Sequence, residues 1–68
     1  MNGLAFSSMR VGQRYRLLNY GEETEFILKE VIGNNDYRLC DLFTLEEYYL
    51  SDLIKYGKGS DFELIEIY

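Results

Sequence analysis

The stretch Thr44-Leu45-Glu46-Glu47-Tyr48-Tyr49-Leu50-Ser51-Asp52-Leu53-Ile54-Lys55-Tyr56 admits two readings, and the fold turns on the choice. As a helix over 45–56, Thr44 is the N-cap and Glu47 its capping-box partner. Leu45, Tyr48, Tyr49, Leu53 and Tyr56 then form one stripe at helical spacing, and Gly57 is the C′ residue. As β-structure, Leu42 to Leu45 turn the chain, residues 46–50 form a strand, and Ser51-Asp52-Leu53-Ile54 make a short capped helical turn. Local pattern alone gives the helix a slight edge.

The flanks are easier. Asp61 to Tyr68 reads Asp-Phe-Glu-Leu-Ile-Glu-Ile-Tyr, a strand with apolar residues on both faces. Upstream, Asp36 to Phe43 is a strand with Tyr37, Leu39 and Phe43 on one face. The cluster Gly33-Asn34-Asn35-Asp36 before it has the residues that tight turns need. Glu25 to Ile32 is rich in β-branched and aromatic residues. Phe26, Leu28 and Ile32 share one of its faces, and Ile27 and Val31 the other. This is the pattern of a long strand that bends and serves two sheets of a barrel. Arg14-Tyr15-Arg16-Leu17 alternates polar and apolar, and Tyr20 to Thr24 is a polar loop. Leu4, Phe6 and Met9 either dock on the body, or residues 1–10 fray.

Composition narrows the function. The 68 residues allow one domain, 1–68, and 47% apolar with 16% aromatic content excludes a disordered chain. So short a chain buries only roughly 60% of its unfolded surface. With one Cys and no His it has neither an intramolecular disulfide nor a Cys/His zinc site to add stability. Cys40, in the apolar stretch Tyr37 to Phe43, reads as a small buried hydrophobe. No targeting segment or membrane-length apolar run is visible, so a cytoplasmic location is expected. A net charge of −5 disfavours nucleic-acid phosphates as partners and is ordinary for solubility.

The spaced set Asp41, Thr44, Glu46, Tyr48, Leu50-Ser51-Asp52-Leu53-Ile54, Tyr56-Gly57-Lys58-Gly59 and Asp61-Phe62 resembles small uncharacterised bacterial proteins with SH3-like barrels. Val11-Gly12, Tyr15-Arg16-Leu17 and Gly21-Glu22 extend the resemblance over residues 10–67. Such barrels carry a one-turn helix before the last strand, where Ser51 to Tyr56 fall. The resemblance therefore tips residues 46–50 to a strand, and it implies no established activity. Eukaryotic proline-binding SH3 domains differ: they use a Trp and an Ala-Leu-Tyr-Asp-Tyr stretch that this chain lacks. The expected fold is mainly β, a five-stranded SH3-like barrel. Its strands lie near 13–20, 24–33, 36–43, 46–50 and 61–67, with a helical turn near 51–56. The alternative is α+β, with a helix at 45–56 against a four-stranded sheet.

Catalysis finds little support. No His stands ready as a base, and no Gly-x-Ser-x-Gly elbow is present. The pairs Glu22-Glu23 and Glu46-Glu47 point to opposite faces on a strand. Gly57-Lys58-Gly59-Ser60 departs from a phosphate loop and reads as a glycine turn. Glu22, Glu23 and Glu25 lack the spacing of a calcium loop. The expectation is therefore no enzyme, no cofactor and no metal. Seven tyrosines are the informative excess. Tyr15, Tyr37 and Tyr48 read as core. Tyr20, Tyr49 and Tyr56 read as a shallow partner groove for a protein or peptide, with an acidic rim from Glu22, Glu23 and Asp52. The plain structural reading is that these rings merely complete a small core. The alternative function is nucleic-acid binding by a basic stripe of Arg14, Arg16, Lys29 and Arg38. Against it stands simple cross-strand pairing with Glu25, Glu30 or Glu63. A monomer or a weak homodimer is expected, the latter through an uncovered strand edge.

Overall fold

The computed structural model describes residues 5–67. The fold is mainly β. Five antiparallel strands form one sheet: β1 (Arg14–Asn19), β2 (Glu22–Ile32), β3 (Asp36–Asp41), β4 (Glu47–Tyr49) and β5 (Glu63–Ile67), in the order β4-β3-β2-β1-β5. A 3-10 turn, Phe6–Ser8, precedes them, and a four-residue helix α1 (Leu50–Leu53) separates β4 from β5. Among the described residues no ladder joins the two edge strands β4 and β5.

The alternative helix at 45–56 does not form, and the turn before β4 shows why. The Asp41 carboxylate accepts the Phe43 and Thr44 N–H groups at 2.7 and 2.9 Å. Thr44 is thereby held in a turn that Asp41 itself caps, a local side-chain bond that competes with helix formation. Leu45 takes a φ of 63°, which ends any right-handed run. Its N–H returns to the Asp41 carbonyl at 3.0 Å. The chain then leaves as a strand, with Leu39 opposite Tyr48 and Arg38 opposite Tyr49. Of the supposed helical stripe, Leu45, Tyr49 and Tyr56 are exposed. The capping geometry moves one turn on: the Asp52 carboxylate accepts the Tyr49 N–H at 3.2 Å.

Alternation sets the core. On β1, Tyr15, Leu17 and Asn19 are buried, while Arg16 and Leu18 are half-buried on the other face. Phe26, Leu28, Leu39, Leu50, Leu64 and Met9 complete the buried cluster. Fully burying such a side chain is worth about 1.5–3 kcal/mol. Phe6 packs against the cluster and meets Phe62 edge-on at 5.6 Å, so residues 6–9 are docked rather than frayed. Leu4 lies outside the described residues.

β2 serves both neighbours, pairing with β1 through Ile27 and with β3 from Phe26 onward. A bulge between Leu28 and Glu30 inserts one residue and reverses the alternation. Ile32 therefore falls opposite Asp36 and out of phase with Phe26 and Leu28, contrary to the expected shared face. Two further expectations fail locally. Phe43 lies beyond the end of β3 and is 77% exposed. Cys40 is half-buried rather than core. By register it faces Ile27 and Glu47 on the outer side of the sheet.

Candidate functional site

The β1–β2 turn is built from Tyr20 and Gly21, closed by the pair Asn19 and Glu22. Both central residues have positive φ, 51° and 75°, the backbone of a type I′ hairpin turn. Gly21 takes this conformation at no steric cost, but Tyr20 does not. Four contacts hold it there. Asp61 accepts the Tyr20 N–H at 2.9 Å and the Gly21 N–H at 2.7 Å. The Tyr20 hydroxyl donates to the Tyr56 carbonyl at 3.0 Å. The Tyr20 ring lies over Gly59, where an added Cβ would meet it at 2.9 Å.

Asn19 supplies the floor. Its inward position on β1 would strand a polar amide in the core, yet both ends of the amide are satisfied. Nδ2 donates to the Gly57 carbonyl at 3.1 Å, and Oδ1 accepts the Gly59 N–H at 2.7 Å. Lys58, between those glycines, turns away and lies over Phe6 and Phe62, 5.0 and 4.9 Å from their centroids.

A cleft of about 240 Å³ opens between this turn and α1. Asn19, Tyr20, Glu22, Asp52, Leu53 and Tyr56 line it. Tyr56 is 83% exposed, and the ammonium of Lys55 sits 5.4 Å from its ring centroid. Among the described residues no cation pairs with Glu22 or Asp52 within 4 Å. The volume lies below the roughly 300–1,000 Å³ of drug-sized ligand pockets. It is large enough for one long side chain.

Of the three tyrosines read as one groove, Tyr20 and Tyr56 meet in this cleft and Tyr49 does not. Tyr49 lines a smaller hollow of about 130 Å³ with Arg38, Glu47 and Tyr48. Glu23 also lies apart from the cleft, 4.0 Å from Arg16. Asn19 and Leu53 were not anticipated as lining residues. The signal for Asn19 was its parity with Tyr15 and Leu17: an amide on the inward row needs fixed partners, and such partners shape a site.

The four basic residues do not make one free stripe. Arg16 bonds Glu25 at 3.1 Å. Arg38 bonds Glu30 at 3.1 Å and Glu47 at 2.6 Å, bridging three neighbouring strands. Those hydrogen bonds, to Glu30 first and then Glu47, raise the Arg38 pKa above its ordinary value. Arg14 and Lys29 are exposed, without an ion pair among the described residues.

Among the described residues no group of three or more His, Cys, Asp or Glu side chains is placed to hold a metal ion. No helix there is long and apolar enough to cross a membrane. Comparison with protein-family models, curated proteins and solved structures finds no match.

Proposed function

We propose that the chain is a small SH3-like barrel acting as a non-catalytic protein-binding or adaptor module in a bacterial cytoplasm, with the Tyr20–Tyr56 cleft as its partner site. The supporting observation is the conformation of Tyr20. A tyrosine is held in a costly left-handed backbone by bonds from a segment some forty residues away, and the residue is still 58% exposed where it lines the cleft. Strain maintained by surrounding structure is characteristic of functional positions. An exposed aromatic wall beside a short helix is also the kind of surface that interfaces favour.

The test compares wild type with Tyr56→Ala and Tyr49→Ala as bait in lysate of the source cells, after nuclease treatment. The Tyr56 side chain is exposed and makes no hydrogen bond among those described, so its loss leaves the fold intact by circular dichroism. A discrete protein retained by wild type and by Tyr49→Ala, and lost with Tyr56→Ala, supports the reading. Equal retention by all three moves the site elsewhere. Capture that disappears with nuclease transfers the function to Arg14, Arg16, Lys29 and Arg38.

A further inference from the structure

Resting on the reading of the cleft as a peptide site, we infer that its occupant is the cationic side chain, above all arginine, of a basic peptide segment. Three independent features of the cleft agree. The first is chemical: the polar lining includes two carboxylates, Glu22 and Asp52, without a cation of the chain within salt-bridge distance among the described residues. The chain as a whole carries a net charge of −5, so its field draws cations toward such a site.

The second is the aromatic wall. The two rings, Tyr20 and Tyr56, lie beside the carboxylates. A guanidinium can stack on a ring and donate to a carboxylate in the same pose, because its donors lie in the plane that stacks. The third feature shows that one of the rings accepts a cation. The chain's own Lys55 ammonium already lies over Tyr56 at 5.4 Å. An incoming guanidinium competes with that ammonium, or is repelled by it from the opposite face. In both cases Lys55 weakens the binding of another cation.

The shape fits the same occupant. About 240 Å³ lies below the roughly 300–1,000 Å³ of drug-sized ligand pockets and admits one long side chain. Leu53 offers an apolar strip for the methylene stem, as long cationic side chains require.

The experiment uses the full chain, isotope-labelled, titrated with acetyl-Gly-Arg-Gly-Arg-Gly-amide and with the same peptide carrying citrulline in place of arginine. The arginine peptide shifts amide signals of residues 19–22 and 52–56, and the neutral peptide does not. Glu22→Gln weakens binding about two- to fivefold, and Lys55→Gln tightens it by a similar factor. Raising the salt from 20 to 300 mM weakens it further. Equal binding of the two peptides at the cleft overturns the cationic occupant and leaves a peptide site standing. Shifts scattered over the surface, or none at residues 19–22 and 52–56, also overturn the inference. The capture experiment with Tyr56→Ala judges the protein-binding reading separately. The Glu22 side chain is exposed and in no hydrogen bond among those described, so its substitution does not confound the test with unfolding.

Discussion

The β1–β2 turn and the β3–β4 loop each hold a non-glycine residue with positive φ, Tyr20 at 51° and Leu45 at 63°. Each is pinned by one aspartate that accepts two consecutive backbone N–H groups. Asp61 takes those of Tyr20 and Gly21 at 2.9 and 2.7 Å, and Asp41 takes those of Phe43 and Thr44 at 2.7 and 2.9 Å. The difference is distance along the chain. Asp41 is two and three residues from its donors, whereas Asp61 is forty and forty-one away. A local pin can form in any chain that contains those residues, folded or not. A distant pin exists only in the folded state, and it ties the segment before β5 to the far end of β1. The side chains differ as well. Tyr20 spends its ring and hydroxyl on Gly59 and Tyr56, while Leu45 stays 71% exposed.

The largest effect expected from this contrast is that of Asp61→Ala. Hydrogen bonds to a charged acceptor contribute about 1.5–3 kcal/mol each, and solvent exposure discounts the two to about 2 kcal/mol together. Asp41→Ala removes an equivalent pair together with the acceptor of the Tyr48 hydroxyl at 3.2 Å, but costs about 1 kcal/mol, because part of that turn persists in the unfolded ensemble and cancels. Urea unfolding of both variants gives the two numbers. Amide shifts supply the sharper distinction. Loss of Asp61 moves residues 19–22 together with 56–59 and opens the cleft, whereas loss of Asp41 moves only residues 42–48. Equal costs with equally local shifts would erase the distinction between the two pins.

Next in size are substitutions of the strained residues themselves, which differ in sign. Tyr20→Gly relieves the left-handed backbone, but glycine's greater unfolded-state freedom offsets most of that gain. What remains is the lost ring contact and the lost hydroxyl bond, a net cost of about 1 kcal/mol. Leu45→Gly gains the same backbone relief and gives up a side chain that is already mostly in water. It stabilises by about 0.5 kcal/mol, the difference between those backbone terms. If both variants destabilise, Leu45 makes contacts that its exposure conceals.

The same contrast explains what could be read from the sequence. The strands were legible because each alternates or is rich in β-branched and aromatic residues: Tyr15 and Leu17 on β1, Phe26 and Leu28 on β2, Leu39 on β3, Leu64 on β5. Residues 46–50 were legible only with the resemblance. Their helical spacing is genuine, and a backbone turn set by Asp41 and Leu45 overrides it. No propensity scale places a leucine at positive φ, so the sequence pattern runs β3 on through Phe43, past its true end at Asp41. Within the cleft, Tyr20, Tyr56, Glu22 and Asp52 were visible as residue types beside predicted loops. That Tyr49 faces a different hollow follows from its register against Arg38, a long-range fact that local pattern does not contain. Asp61 acts across some forty residues and is invisible for the same reason, whereas Asn19 shows in the sequence as an amide on the inward row but not through its distant partners.

The smallest expected effect concerns acid. The backbone N–H groups of Thr44 and Phe43 hold the Asp41 carboxyl below its ordinary value of 3.8, with burial opposing them. At Asp36 burial again raises the pKa, but the Ser51 hydroxyl and the Tyr37 and Ser51 N–H groups together outweigh it and lower the pKa. A carboxyl whose folded pKa is depressed contributes stability that is complete above the unfolded value and is lost as pH falls through the folded one. The domain should therefore hold constant stability from these groups above about pH 5 and lose it progressively below 3.8. Asp41→Asn isolates one share of that loss. An asparagine oxygen can accept the same two N–H groups, so the turn survives, but it has no proton to gain. Urea midpoints measured from pH 6 to pH 3 should fall less steeply for Asp41→Asn than for wild type, with Asp36 maintaining the remaining slope. Parallel curves would mean that the bonds to Asp41 persist in the unfolded chain as fully as in the folded one. The local pin would then contribute nothing to stability, and of the two aspartates only the distant one would stabilise the fold.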